Sequence, residues 1–315
     1  MLVTLCGGVG AARMLSGFVR AVDPAEITAI VNVADDLVLH GLHISPDLDT
    51  VTYTLAGLDN RETGWGVAGE SWTVMEELAQ LGGESWFRLG DRDLATHLFR
   101  TQLLATGQPL SAVTAAIAGA RGIAVRMLPV TDDPLRTRVT LSQPTDLGGA
   151  GTEVAFQDYF VRLQHAASVS AVRFEGAESA RPGPGVQEAI DQAELIVVCP
   201  SNPVVSIGPL LAVPGILPAL TARRDDVIAV SPIVAGAALK GPADRLMAEL
   251  GTEPSVVGVA RLYAPWVHTL VIDEADRDLA GAVEAEGLRC VVAPTVMRTP
   301  ALASALARTV IDAVR

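Results

Sequence analysis

Residues 32–50, NVADDLVLHGLHISPDLDT, hold four aspartates (Asp35, Asp36, Asp47, Asp49) and two histidines (His40, His43) in an otherwise largely apolar stretch. Asp35 and Asp36 follow an apolar run, where a dinucleotide enzyme places an acid for ribose and where a phosphate or metal site belongs. SPDLDT (45–50) reads as a helix start: Ser45 caps, Pro46 takes the first helical position, and acids favour the first turn. That accounts for Asp47. It leaves unexplained why a second acidic cluster lies across a short apolar loop from the first. Two carboxylate clusters beside a glycine-rich loop suggest a hydrated divalent cation bridging protein and diphosphate. His40 and His43 lack the paired cysteines or further patterned histidines of a zinc site and read as structural.

GGVGAAR (7–13) supplies that glycine-rich loop between an apolar run and a helical pattern. Gly7, Gly8 and Gly10 let backbone approach a phosphate, and a helix N-terminus offers unpaired N–H groups with partial positive charge. The dinucleotide fingerprint G-x-G-x-x-G is imperfect, since Arg13 stands at its last position, and no Gly-Lys-Ser/Thr follows as in a Walker loop. Arg13 could itself face a phosphate; the plainer reading is a tight turn without ligand. PSNPVVSIGPL (200–210) sets Ser201, Asn202 and Ser206 among stiffening prolines, suited to phosphate oxygens or a nucleobase edge, or simply a proline-rich turn. Lys240, the chain's one lysine, could reach a phosphate from SPIVAGAALKGPADRLM; alone it reads as a solvated surface lysine. In LGDRDLATHLFRT (89–101), Asp93 reads as a helix N-cap, while Arg88 and Arg92 flank the acidic pair and could clamp a charged or planar ligand. Asp132-Asp133-Pro134 reads as a turn.

The elements that must position these residues follow from apolar runs. LVTLC (2–6), ITAIVNV (27–33), LIVVCP (195–200), VIAVSP (227–232), TLVID (269–273) and LRCVVAP (288–294) read as buried strands. Helices are expected from about 11 to 22, over 68–82 and 93–122, and over 300–314. Residues 123–175 carry short β-like pieces such as GIAVRMLPV and SVSAVRF. The expected fold is therefore α/β: a Rossmann-like, doubly wound, mostly parallel sheet in a single catalytic domain of residues 1–315. Its core comes from about 1–60 and 186–315, with an inserted section over about 61–185. Pro-Gly-Pro-Gly (182–185) marks the return. In such sheets the loops after the strands converge, which brings together Gly7–Gly10, Asn32–Asp36, Pro200–Pro203 and Ser231-Pro232.

Composition sets the outer bounds. Half the residues are hydrophobic but only 4% aromatic, so Ala, Val, Leu and Ile build the core. A net charge of −13 argues against a duplex nucleic-acid binder. Three scattered cysteines suggest neither disulfides nor a zinc cluster, and a reducing cytoplasm fits. The start MLVTLCGG lacks the basic residues and length of a signal peptide, and every long apolar stretch is interrupted, so no membrane span is expected.

Taken in order, GGVGAAR, NVADDLVLHGLHISPDLDTVTYTLAG, RLGDRDLATHLFRT, GQPLSAVT, LPVTDDP, FQDYFV, CPSNPVVSIGPLL, VSPIVAGAALKGPADRLM and GVARLY resemble the 2-phospho-L-lactate transferases of coenzyme F420 biosynthesis, including the actinobacterial phosphoenolpyruvate transferases. The resemblance runs from Leu2 to about Asp273. It implies a cytoplasmic, Mg2+-dependent homodimer acting on small molecules. The terminal ribityl hydroxyl of the deazaflavin Fo attacks the terminal phosphorus of a guanosine diphosphate that carries lactate or enolpyruvate, and GMP leaves. It also implies Fo contacts at Asp49 and at Arg88, with Arg92 competing. On this view Asp35, Asp36 and Asp49 are metal candidates, and Asp49 could instead bind or deprotonate the attacking hydroxyl. Gly7, Gly8, Gly10, Arg13, Ser201, Asn202 and Lys240 would hold the nucleotide diphosphate. The Arg/Ala-rich, nearly lysine-free composition points to a GC-rich actinobacterial lineage and hence to enolpyruvate. No N-K-x-D guanine motif is present, and Ala235 stands where a second glycine is expected. An NAD(P)-dependent oxidoreductase and a non-catalytic guanine nucleotide-binding protein are the competing readings.

Overall fold

The computed structural model describes residues 1–61 and 63–313. The apolar runs become strands β1 (Leu2–Cys6), β2 (Ile27–Val31), β3 (Arg126–Pro129), β4 (Leu195–Val198), β5 (Val227–Val230), β6 (Thr269–Ile272) and β7 (Arg289–Val292). Among the described residues they form one seven-stranded sheet in the order β7-β6-β5-β4-β1-β2-β3, with every neighbouring pair parallel. All residues of β1, β2, β4, β5 and β6 are buried, because helices cover both faces. That is why these strands read as continuous apolar runs rather than alternating ones.

The chain works outward from β1 to β3 at one edge, then returns to β4 on the other side of β1 and works outward to β7. Strand order therefore reverses between β1 and β4, and the crevice at their carboxyl ends is the expected ligand position. Helix α1 (Gly8–Phe18) starts inside the glycine loop, three residues before its expected start, and ends at Phe18, with a turn to Val22. Its Gly10 packs on the loop after β4 so closely that an added Cβ would lie 2.0 Å from the Pro200 carbonyl oxygen. The C-terminal helix, Pro300–Asp312, packs along α1.

Residues 61–185 are not wholly apart from the core, since they lend it the edge strand β3. The helix expected over 68–82 shortens to Thr73–Gln80. The one expected over 93–122 is two, Asp91–Ala105 and Leu110–Ala120, broken at Gly107 and Pro109. A three-stranded antiparallel sheet follows, with Arg136–Leu141 between Glu153–Ala155 and Val169–Glu175. It carries its own small core of Val139, Leu141, Phe156 and Tyr159, joined by Val205 and Leu246. A second small core, Leu39, Ile44, Met75 and Leu89, lies under the hairpin 37–44. These two lobes stand as walls on the crevice. The cysteines are free, with the buried Cys6 and Cys199 thiols 3.8 Å apart.

Candidate active site

A cleft of about 820 Å³ crosses the carboxyl ends of the strands. Beneath its floor lies the buried Asn32, directly after β2. The Asn32 N–H donates to the Cys6 carbonyl and its Oδ1 accepts from Ala34 N, which fixes the side chain. The Asn32 amide then donates to two carboxylates, Asp47 Oδ2 at 3.0 Å and Asp35 Oδ2 at 3.3 Å. Asp47 Oδ1 accepts from Gly8 N at 2.8 Å, tying helix α2 (Pro46–Leu55) to the glycine loop. Burial, reinforced by Asp47, raises the Asp35 carboxyl well above the usual range. Burial pushes Asp47 up to about 6, with Asn32 and the Gly8 N–H resisting. Asp36 sits behind, accepting from Ser45 Oγ at 2.7 Å, and burial pushes it up to about 7. Asp35 Oδ1 and Asp36 Oδ1 are shut off from solvent with no hydrogen-bond partner among the described residues.

Asp49, two residues along in α2, has a different setting. It is buried and accepts a bidentate pair of hydrogen bonds from Arg100 of helix α3 (Asp91–Ala105). His97 Nδ1 lies 3.7 Å from Asp49 Oδ2. On the other side of the ring, His97 Nε2 lies 3.2 Å from Asp93 Oδ1, off the line of a good hydrogen bond. Asp93 also accepts from the Tyr53 hydroxyl. Despite burial, His97, Tyr53 and Arg100 hold the Asp93 carboxyl below its usual range. The N-cap of α3 is Gly90, which corrects the reading of Asp93: it is the third helical residue and faces inward. Ser45 is the N-cap residue of α2 and Pro46 its first helical residue, but the Ser45 hydroxyl goes to Asp36 instead of capping the helix.

The remaining candidates take definite places. Ser201 Oγ donates to the Gly7 carbonyl at 2.8 Å and accepts from Gly7 N at 3.3 Å, stitching the two crevice loops together. The N–H groups of Gly7 and Gly8 are thus already engaged by protein, and these glycines are scaffold as well as wall. Asn202 Oδ1 caps the turn after it through Val204 N and Val205 N. Arg13, Lys240, Ser201 and Asn202 all line the cleft, and Lys240 Nζ donates to the Thr63 carbonyl. Burial and the nearby Arg13 lower the Lys240 pKa, so two cations share one rim. Arg88 lines the cleft with its guanidinium 4.2 Å over the Trp72 ring, whereas Arg92 donates to the Ala68 carbonyl. Ala235 has φ +50°, a left-handed conformation that explains the expectation of glycine there; Asp276 holds its N–H.

Sequence reading missed Asn32 as organiser, Asp47 as a cleft residue and the network on α3. Asp93, His97 and Arg100 are spaced i, i+4, i+7, which puts them on one helix face; that spacing was the available signal. It also missed the wall of Phe156, Phe160 and His165.

Whether the site suits a divalent cation turns on its donor set. Among the described residues no three ligating side chains form a complete cage. Mg2+ typically takes one or two carboxylates and completes its shell with water and substrate phosphate. Asp35 and Asp47 supply two such carboxylates: they share one neutral amide and both line the cleft, while Asp35 Oδ1 lies beneath the surface without a hydrogen-bond partner among the described residues. Asp36 is turned to Ser45, and both oxygens of Asp49 already face Arg100.

A family model described as 2-phospho-L-lactate transferase CofD matches residues 2–297. Among curated proteins, a phosphoenolpyruvate transferase of Kitasatospora aureofaciens is 45% identical, covering 98% of this chain and 96% of that protein. Those of Streptomyces coelicolor and Mycolicibacterium smegmatis are 46% and 39% identical, covering 94% and 99% of this chain and 92% and 98% of those proteins. Two crystal structures of a Bacillus halodurans protein, one described as a UPF0052 family member, superpose with TM-scores of 0.59 and 0.62. At 16% identity and 98% coverage of each chain, they share the fold.

Proposed function

The chain belongs to the 2-phospho-L-lactate transferase family, and from that premise we propose that it moves a phosphoenolpyruvate moiety from a guanosine diphosphate carrier to the ribityl hydroxyl of the deazaflavin Fo. GMP leaves, and the product is the dehydro form of coenzyme F420-0. The names of the relatives favour enolpyruvate over lactate. The observation that carries the reading is the carboxylate pair Asp35 and Asp47, joined through the Asn32 amide, with Asp47 also accepting from Gly8 of the glycine loop, at the point where strand order reverses.

Phosphoryl transfer needs positioning and charge neutralisation more than covalent help from the protein. The N-terminus of α1, with Arg13 and Lys240 on the rim, attracts and aligns the diphosphate. Mg2+, held by Asp35 and Asp47, supplies further neutralisation of phosphate charge when bound. Arg100 takes one lone-pair direction of each Asp49 oxygen and leaves others to accept the attacking hydroxyl. Because Arg100 grips both oxygens of the Asp49 carboxylate, the hydroxyl meets an acceptor that does not swing. Arg88 and the neighbouring Trp86 and Phe87 form the wall for the planar deazaflavin. The enzyme works as a cytoplasmic homodimer in this reading; no single helix among the described residues is long and apolar enough to cross a membrane.

The test is to incubate the protein with Fo, Mg2+ and each of the two activated guanosine diphosphates and identify products by mass spectrometry. The expected result is a phosphodiester of Fo with release of GMP, faster from the enolpyruvyl donor. If neither donor yields a phosphodiester of Fo, the proposal is wrong.

A further inference from the structure

The two walls of the cleft differ in how they present rings. On the wall built by the three-stranded sheet, Phe156 and Phe160 stack with centroids 5.4 Å apart and planes 8° from parallel. His165 stacks on Phe160 at 5.5 Å and 20°. All three line the cleft, together with Gln157 and Gln164. Phe156 and His165 thus flank Phe160, and His165 is the half-buried outer rung of the ladder.

Ordinary core packing does not explain how that rung is held. Gln164 and His165 have φ values of +50° and +43°, a conformation that side-chain-bearing residues rarely adopt. The main chain is locked there: His165 N donates to the Tyr159 carbonyl at 2.8 Å, and Arg245 donates to the His165 carbonyl at 2.6 Å. Arg245 is itself paired with Glu249. The left-handed pair closes the end of the helical turn Asp158–Arg162 and presents the His165 ring to the cleft.

The position selects the ligand. Val205, in the turn capped by Asn202, belongs to the same small core as Phe156 and Tyr159. Gly241, next to Lys240, packs at Phe160: an added Cβ would lie 4.0 Å from its ring. The ladder therefore adjoins the phosphate side of the cleft, whereas Arg88 and Trp86 share the other wall with Asp49. Resting on the function proposed above, we infer that His165 is the stacking surface for the purine base of the nucleoside diphosphate carrier. Gln164, whose amide both donates and accepts, reads the base edge. This supplies base recognition in a chain without an N-K-x-D motif.

The experiment compares equilibrium binding of guanosine 5′-diphosphate and of Fo to the full chain and to His165→Gly and His165→Tyr. Glycine removes the ring and accepts the left-handed backbone, so the fold is spared; thermal unfolding checks this. The dissociation constant for guanosine 5′-diphosphate should rise about 10-fold or more in His165→Gly and return to within about 3-fold in His165→Tyr, as expected for loss and recovery of one stacked base. Fo binding should stay unchanged in both. Undiminished nucleotide binding by a folded His165→Gly overturns the inference, as does a loss confined to Fo. Failure of the unaltered chain to bind any guanine nucleotide would instead overturn the transferase reading itself.

Discussion

Asp49 and the pair Asp35 and Asp47 are buried in the same cleft, yet their charges are handled in opposite ways. Asp49 has a dedicated cation, since Arg100 grips both of its oxygens and is itself 2% exposed. Among the described residues Asp35 and Asp47 have only uncharged donors: the shared Asn32 amide, the Gly8 backbone N–H and the Thr137 hydroxyl beside Asp35. Burial therefore raises their carboxyls, in Asp47 to about 6. A buried carboxylate with its own arginine is complete as folded. A pair sharing neutral donors carries a charge deficit that a bound cation and substrate would settle.

The sharpest way to break the contrast is Arg100→Met. It strands a buried Asp49 charge, and unfolding free energy should fall by about 3–5 kcal/mol in urea titrations. Adding Asp49→Asn to the same chain should recover most of that loss. Equal stability of the single variant and the parent would mean that Asp49 is not held as described.

A second, smaller effect is in pH. Asp36 and Asp47 titrate near 7 and 6 in the folded chain, above their ordinary 3.8. Between about pH 4 and 7 the folded state keeps protons that the unfolded chain has released, so this contribution to stability is greatest near pH 4. It falls as pH rises to 7 and is level above. Mg2+ should raise the thermal midpoint at pH 8 and do little at pH 4–5, because it competes with those protons. An equal rise at both values would remove the carboxylates from cation binding.

The smallest effect is expected from Ser45→Ala, which deletes the hydroxyl that donates to Asp36. It should cost about 1–2 kcal/mol above pH 7. The cost should fade towards pH 4, where Asp36 is protonated in the folded chain and the hydroxyl no longer meets a charged carboxylate. A pH-independent cost would show the serine to matter only for packing.

How much of this was legible in the sequence depends on which force set each residue. Strands buried on both faces announce themselves as apolar runs, and parallel order then dictates where their loops meet. So the topology alone brings Gly7–Gly10, Asp35 and Ser201 together. Asp47 could not be separated from a helix-start acid, because one placement serves both the helix dipole and the cleft. Asp93 was misread as a cap because the cap depends on how the chain enters α3, and Gly90 takes that place with extended backbone. The ring ladder uses residues 156, 160 and 165, a spacing of no regular element, and two of the four non-glycine residues with positive φ among those described lie in or beside it. The strand at the centre of that lobe, Arg136–Leu141, alternates half-buried and buried residues.

Lys240 has a consequence beyond binding. With one lysine in the chain, the molecule carries a single ε-amine, and it lies on the cleft rim with a lowered pKa. An amine-directed reagent therefore meets one distinctive target apart from the chain terminus. A fluorophore attached there would report cleft occupancy from a unique position, with no background of other labelled side chains to subtract.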